Sequence, residues 1–483
     1  MLRVVCSLCI YATGRLDTYL ILQTSNTMMH LLSSVSMMPH QLDALRWMEA
    51  RESDRAAPGG ILALDMGLGK TLLTIAAVVA NPVKTLIIVP TSIVPQWVSE
   101  FEKFTGVTPF VADATMSNQG LITKETLAPH GVVISPNSAF ANMRNPLFLD
   151  CVFDRVVVDE AHLIRNPKTN MFKNISAIES DIKWCLTGTP IIKNEKNFEV
   201  LLQFLGIIGI PTRIARQKFI YRQTKEDVVK MPPLVVEELR SEFRTEEEKK
   251  AYADTLDDGR AVFAAYGAYG DGQARMEVLK IILRLRQCTG NVNMVPYYDD
   301  PDTFYEGEST KLKMLEEDIL NSPMQKTIVF THFHKEMDFI SAMLKSHGFT
   351  SARLDGRVSA RGRVSSVESF NNDPECNFLL VQIDAGGIGL NLQVAKRIYI
   401  TSVHWNGTAE IQAIARSYRI GQDSQVTVKR LIINDTVDDA IVGIQQQKLE
   451  CAAELLGDHR IKNTLSKKSS SEFKKLTEMI FKK

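Results

Sequence analysis

Long apolar runs are missing from this chain: none approaches the roughly 18 residues of a membrane span, so no membrane partner is expected. An excess of either charge is missing too. The 56 Lys and Arg are matched by 56 Asp and Glu, which excludes a global basic field and leaves any nucleic-acid contact to local patches. Cysteine is sparse and scattered, at positions 6, 9, 151, 185, 288, 376 and 451. Only Cys6 and Cys9 form a C-x-x-C, with no second pair to complete a zinc site, so reduced intracellular thiols are expected. What is present is globular text, 45% hydrophobic and 23% charged over 483 residues, enough for roughly two to four separately cored domains.

The stretch with the most chemistry in it is Gly60 to Thr74, GILALDMGLGKTLLT. A short apolar run breaks into a glycine-rich turn, Asp65-Met66-Gly67-Leu68-Gly69, and ends in Lys70-Thr71 at the start of a helical pattern. Glycines free the backbone to turn N–H groups towards a polyphosphate, Lys70 can reach its outer phosphates, Thr71 can ligate Mg²⁺, and the helix offers its positive end. The strict motif asks for Gly at position 64, where Leu64 stands. A tight turn before a buried helix is the simpler reading of those residues alone.

The flanking text supplies the rest of a nucleotide machine. Upstream, PHQLDALRWM has apolar residues at 42, 45 and 48 on one helical face. That packing leaves out Gln41, whose carboxamide can pair with adenine. Downstream, the apolar runs Thr85–Val89 and Val132–Ser135 end at Pro90 and Pro136. Arg155-Val156-Val157-Val158 delivers Asp159 and Glu160, the first carboxylate suited to Mg²⁺ and the second to orienting and deprotonating water. Trp184–Thr187 closes a series of strands alternating with helices, as in a doubly wound parallel sheet.

The order PHQLDAL, DMGLGKT, VPTSIVPQW, DEAH and LTGTP resembles the Swi/Snf family of chromatin-remodelling ATPases among the superfamily-two helicases. YRQTKEDV before Met231-Pro232-Pro233, and the later LRLRQC, are similar to the same family. The resemblance spans about residues 38–450. It implies an α/β fold of two RecA-like doubly wound lobes with helical insertions between them. The expected divisions are an N-terminal extension (1–37), lobe one (38–210), an insertion (211–308), lobe two (309–455) and a basic tail (456–483). Gln412 to Gln422, QAIARSYRIGQ, places Arg416 and Arg419 three apart, on one face if the segment is helical. Paired guanidiniums suit a triphosphate whose charge grows in the transition state.

The resemblance implies that lobe one holds ATP and Mg²⁺ through Gln41, Lys70, Thr71, Asp159 and Glu160, with Gln412, Arg416 and Arg419 contributed by lobe two. An arginine supplied this way contributes on the order of 10³ to 10⁵ in rate, so lobe closure would gate hydrolysis. Candidate DNA contacts are Thr91, Gln96, Trp97, Ser135 and Thr189 from lobe one, with Thr331, Gly386, Gly387, Asn391 and Trp405 from lobe two. Backbone contacts of this kind position a protein without reading sequence. The basic tail, eight Lys/Arg against two Glu from Arg460 onwards, is either a solvated end or a further anchor.

The expected partner is duplex DNA, met by a monomer in the nucleus or, for a viral protein, the host nucleus or virion. Nucleosomes, a polymerase, or repair and transcription proteins are the candidate cargo. Leu64-Asp65 in place of the family's Asp-Glu, Ile192-Lys193 in place of Gln-Asn, Gly407 in place of Pro, and Asp384 in place of a basic residue bear on DNA coupling more than on hydrolysis. A strand-separating DNA or RNA helicase and a hydrolysis-poor scaffold are the alternatives; the segment Tyr221 to Pro233 and the intact phosphate-handling residues favour the translocase. Replacing either Lys70 or Arg419 with Ala should abolish steady-state ATP turnover, a loss on the order of 10³ or more. Arg419→Ala should retain most of the nucleotide affinity in equilibrium binding, and wild-type-like turnover in either variant would remove the site assignment.

Overall fold

A computed structural model describes residues 23–24, 27–28, 31–32, 35–112, 123–141, 151–188, 195–266, 272–295, 305, 307–383, 391–405 and 407–456. The chain divides into two compact units, Met1–Val229 and Lys230–Lys483. Besides a short antiparallel ribbon, β1 (Gln23–Thr24) with β2 (Thr27–Met28), each unit is built on one parallel sheet, as the doubly wound reading requires.

In the first unit the strands are β3 (Gly59–Leu64), β4 (Thr85–Val89), β5 (Phe110–Val111), β6 (Val132–Pro136), β7 (Arg155–Val158), β8 (Ile182–Thr187) and β9 (Ile220–Gln223). Their order across the sheet is β5-β6-β4-β7-β8-β3-β9, all pairs parallel. The chain leaves β3, lays β4 three places away, runs out to the edge as β5, returns beside β4 as β6, and fills the gap with β7 and β8. Every residue of β3, β4, β6 and β7 is buried, which is why these strands read as unbroken apolar text rather than alternation.

Helix α1 (Pro39–Glu52) starts with Pro at its first position, and Gln41 Oε1 accepts the Met38 N–H at 2.9 Å. Helix α2 (Lys70–Ala80) follows β3 directly and buries Leu73 to Val79. Helix α3 (Val94–Thr105) buries Trp97, Phe101 and Thr105, four apart on one face, and stops at Gly106 with φ +71°. A cluster of charge pins these layers. Arg155, at the start of β7, donates to both carboxylate oxygens of Glu52 at 2.8 and 2.5 Å, to Thr85 Oγ1 at 3.1 Å and to Asn81 O at 2.9 Å. Trp184 Nε1 and Asn81 Nδ2 complete the Glu52 carboxylate at 2.8 Å each. The side chains of Arg155 and Glu52 are only 1% and 6% exposed, so a charge left alone there has no water to fall back on.

The second unit has the strands β10 (Leu234–Ser241), β11 (Thr327–Thr331), β12 (Ser351–Leu354), β13 (Phe378–Gln382), β14 (Arg397–Ile400) and β15 (Val426–Ile433), in the order β10-β15-β14-β11-β13-β12 and parallel throughout. Alternate residues point to opposite layers. Val329, Leu380, Tyr399 and Leu431 join one hydrophobic cluster, and Ile328, Phe330, Leu379, Val381 and Ile398 join another on the other face.

Residues 211–308, read from the sequence as a helical insertion, hold helices at Glu246–Tyr266 and Gly272–Gly290 and also supply an edge strand to each sheet, β9 and β10. β10 is largely exposed and β15 carries Lys429 and Arg430 inside its apolar run, so neither shows a buried-strand signature. Glu52→Ala should destabilise the first unit by about 3–5 kcal/mol, the cost of stranding a buried charge, as measured by chemical denaturation.

Candidate nucleotide site

Three neighbouring strands of the first sheet, β7, β8 and β3, deliver their carboxyl ends to one place, which is where parallel α/β sheets bind ligands. From β3 the chain turns through Asp65 to Gly69 into α2. Gly67 and Gly69 have φ of +91° and +89°, a region in which a Cβ is penalised. At Gly69 a Cβ would also stand 2.3 Å from Gln41 Nε2. Leu68 between them is fully buried and anchors the turn. The start of α2 then presents helix N–H groups that have no partner within the helix.

Gln41 reaches this loop from α1: its Nε2 donates to Leu68 O at 3.3 Å while its Oε1 accepts the Met38 N–H at the start of α1. Each end of the amide retains a further bonding capacity with which to meet a base. Lys70 folds back on the loop, donating to Leu64 O at 2.8 Å and Asp65 O at 3.4 Å. Burial lowers its pKa, opposed by the charges of Glu160, Asp159 and Asp65. The end of β8 comes close because residue 188 is glycine; a Cβ there would lie 2.8 Å from Met66 Cγ and 3.1 Å from Lys70 Nζ.

Asp159 is 8% exposed. Its Oδ2 accepts the Trp97 indole N–H at 2.9 Å and its Oδ1 the backbone N–H of Glu160 at 2.8 Å. Burial, and after it the charge of Glu160, push the Asp159 carboxyl up to about 6, against the pull of Lys70 and the Trp97 bond. Glu160 sits at φ +49°, a strained backbone for a residue with a Cβ, and its Oε2 lies 3.1 Å from His162 Nδ1. A buried carboxylate whose ionised form is disfavoured, with a second acid next to it, is a set that a hard cation relieves. Asp159, with Thr71 at the start of α2, would hold Mg²⁺, which when bound would draw charge from a phosphate.

In the second unit the helix Gly407–Ile414 ends before the two arginines. Arg416 and Ser417 continue through i→i−3 bonds to Ala413 O and Ile414 O, so the arginines stand on a tight turn and not on one face of an α-helix. The residues between them fix that turn: Ser417 Oγ donates to Ala395 O at 2.6 Å and Tyr418 Oη to Pro232 O at 2.8 Å. Gln422 Nε2 donates to Gln393 O and Ser417 O. Gln412, Arg416 and Arg419 remain half-buried.

The residues named as DNA contacts separate. Trp97 is 1% exposed and holds Asp159. Ser135 is fully buried, donating to Ala112 O at 2.8 Å, and Thr331 is 1% exposed. Buried in this way, none of the three side chains is open to a DNA backbone. Thr91, hydrogen-bonded to Ser138 at 2.9 Å, Asn391 and Trp405 are exposed, and Gln96 is half-buried and donates to Glu100. Thr189, Gly386 and Gly387 lie outside the described residues. Sequence reasoning missed the close approach at Gly188 and took the buried Trp97 for a surface contact; its regular four-residue spacing from Phe101 on an amphipathic helix was the available signal that Trp97 faces inward.

A model of the SNF2-related domain matches residues 40–210, and one of the helicase conserved C-terminal domain matches residues 310–421. The chain belongs to the SNF2-related, helicase-like ATPase family. It is 28% identical over 444 residues to an uncharacterised ATP-dependent helicase of Mycoplasma genitalium, covering 86% of this chain and 42% of that one. It is 26% identical over 454 residues to the ISWI chromatin-remodelling complex ATPase ISW1 of Saccharomyces cerevisiae, covering 85% and 40%. The chain thus spans about two-fifths of the length of these curated relatives. A solved SWI2/SNF2 ATPase core of Sulfolobus solfataricus in complex with dsDNA shares 24% identity and a TM-score of 0.39, covering 88% of this chain and 93% of that one.

For this SNF2-related chain, affinity for Mg²⁺-nucleotide should fall as pH drops through about 6, because a protonated Asp159 is no longer a ligand. Trp97→Phe removes an N–H that favours the carboxylate. The fall should then begin at a higher pH, read from nucleotide titrations across the range.

Proposed function

We propose that this chain is a DNA-stimulated ATPase that translocates on double-stranded DNA and so remodels or displaces protein–DNA complexes. The observation that carries the reading is the gathering of Lys70, Asp159 and Glu160 around a glycine-rich loop at a helix start, with Gln41 bonded to the same loop. Lys70 exchanges the Leu64 carbonyl for the outer phosphates. Glu160 orients the attacking water and takes its proton. Arg416 and Arg419, supplied by the second unit, neutralise charge that grows in the transition state.

The DNA part of the reading rests on family membership and on the exposed residues Thr91, just after β4, and Asn391 and Trp405 in the loops on either side of β14. Such contacts go to the phosphate backbone, so binding is nearly indifferent to sequence and weakens with salt. Its cargo is a nucleosome, a polymerase, or a repair or transcription complex, met in the nucleus or, for a viral protein, in the host nucleus or virion. Steady-state ATPase rates should be measured alone and with duplex DNA, single-stranded DNA, duplex RNA and single-stranded RNA. The rate should rise most with duplex DNA and the rise should shrink as salt is added. Greater stimulation by single strands or RNA would replace the translocase with a strand-separating helicase, and no turnover under any condition would favour a nucleotide-binding scaffold.

A further inference from the structure

The strand by which the chain leaves the first unit is also the strand that grips its phosphate loop. β9 pairs in parallel with β3, and the pairing continues past the strand end, where Asp65 N–H donates to Gln223 O at 3.1 Å. Asp65, the first residue of the loop, is then held by its side chain. Its Oδ1 lies 2.9 Å from Arg222 Nη1 and its Oδ2 accepts the Lys225 backbone N–H at 3.2 Å. Arg222 Nη1 also donates to Ala63 O at 3.1 Å, so one guanidinium spans the last turn of β3 and the loop.

Beyond Arg222 there is no slack. Thr224 donates from both N–H and Oγ1 to Asp227 Oδ2 at 2.9 and 2.7 Å, capping a short helical turn, Lys225–Val228, and Val229 N–H closes it on Lys225 O at 2.9 Å. Thr224 and Lys225 are each 5% exposed. One residue earlier, the Tyr221 ring lies 5.4 Å from that of Trp47 on α1, the helix that carries Gln41. The chain passes into the second unit after Val229.

Lys70 draws on the same short stretch, through Leu64 O and Asp65 O. A phosphate that takes the ammonium removes that donor from both carbonyls. What then holds this stretch is the backbone bond of Asp65 to Gln223 O, the Lys225 N–H on Asp65 Oδ2 and the Arg222–Asp65 pair, and of these only the last joins two charged side chains. We propose that Arg222 is a positioning residue: through Asp65 it passes the occupancy of the phosphate loop to residues 224–229, the segment that leads into the second unit. The role rests on the reading of this loop as a nucleotide site. It needs a guanidinium, because Nη1 makes both contacts from the end of a planar group, and a lysine ammonium keeps the charge but has a shorter, more flexible reach to Ala63 O and Asp65.

Hydrogen exchange of residues 224–229 tests this without requiring turnover. Saturating the full chain with Mg²⁺ and a slowly hydrolysed ATP analogue should slow exchange there by about fivefold or more. Arg222→Ala should bind the analogue as wild type does yet lose that response; Arg222→Lys, which keeps the charge, should reduce it. Asp65→Asn should lose it too, and the double variant should be no worse than either single one, the signature of a coupled pair. In steady state kcat should fall with KM unchanged. Analogue binding in wild type without an exchange response, or a response that survives in Arg222→Ala, would overturn the coupling alone. Loss of analogue affinity in Arg222→Ala would make Arg222 a direct phosphate ligand and overturn it as well. Failure of wild type to bind the analogue at all would remove the nucleotide site itself, and the coupling with it.

Discussion

A carboxylate kept away from water is the constraint around which the first unit is arranged. Asp159 stands at the end of a strand buried on both faces, where ionisation is costly. Its two oxygens are met by the Trp97 indole and by the next backbone N–H. A third partner is charge, the ammonium of Lys70 across the loop. Each of these needs its own element in register: α3 for the indole, the left-handed turn at Glu160 for the amide, and the start of α2 for the lysine. A site assembled from three elements is rigid by construction, which is what electrostatic catalysis requires.

The same unit places another buried charge, Arg155, at the other end of the strand that leads to Asp159. Glu52 satisfies it from α1, so one helix supplies both the buried partner of β7 and, at its start, the glutamine that meets the phosphate loop. Helix α1, the glycine-rich loop and the acidic strand β7 are therefore fixed to one another by buried polar bonds as well as by apolar packing. Such networks specify one arrangement when every member is satisfied.

The second unit uses its core differently. The helix Gly407–Ile414 stops just short of its arginines, and buried Ser417 and Tyr418 between them are bonded to backbone carbonyls. Those anchors leave Arg416 and Arg419 half-exposed on a turn whose shape is held from below. Glycine at 421, with φ +96°, and the Gln422 amide close the turn.

The order of motifs, the family and the parallel α/β class were all legible in the one-dimensional text, as was the glycine turn that leads into Lys70 at the start of α2. Glycines at φ-permissive turns, apolar runs ending in acids, and a lysine at a helix start are local signals, and local chemistry dictates them. Tertiary structure alone decided which side chains on those elements face the site. Trp97 and Ser135 read as surface contacts because they follow strand ends, yet the pleat and the helix face turn them inward. Edge strands β9 and β10 hid in text without a continuous buried run, since an edge is paid for by hydrogen bonds to one neighbour and not by burial of both faces. Arg222 became visible only when β9 was laid beside β3, because its partner Asp65 is distant in sequence and nothing in either neighbourhood marks the pair.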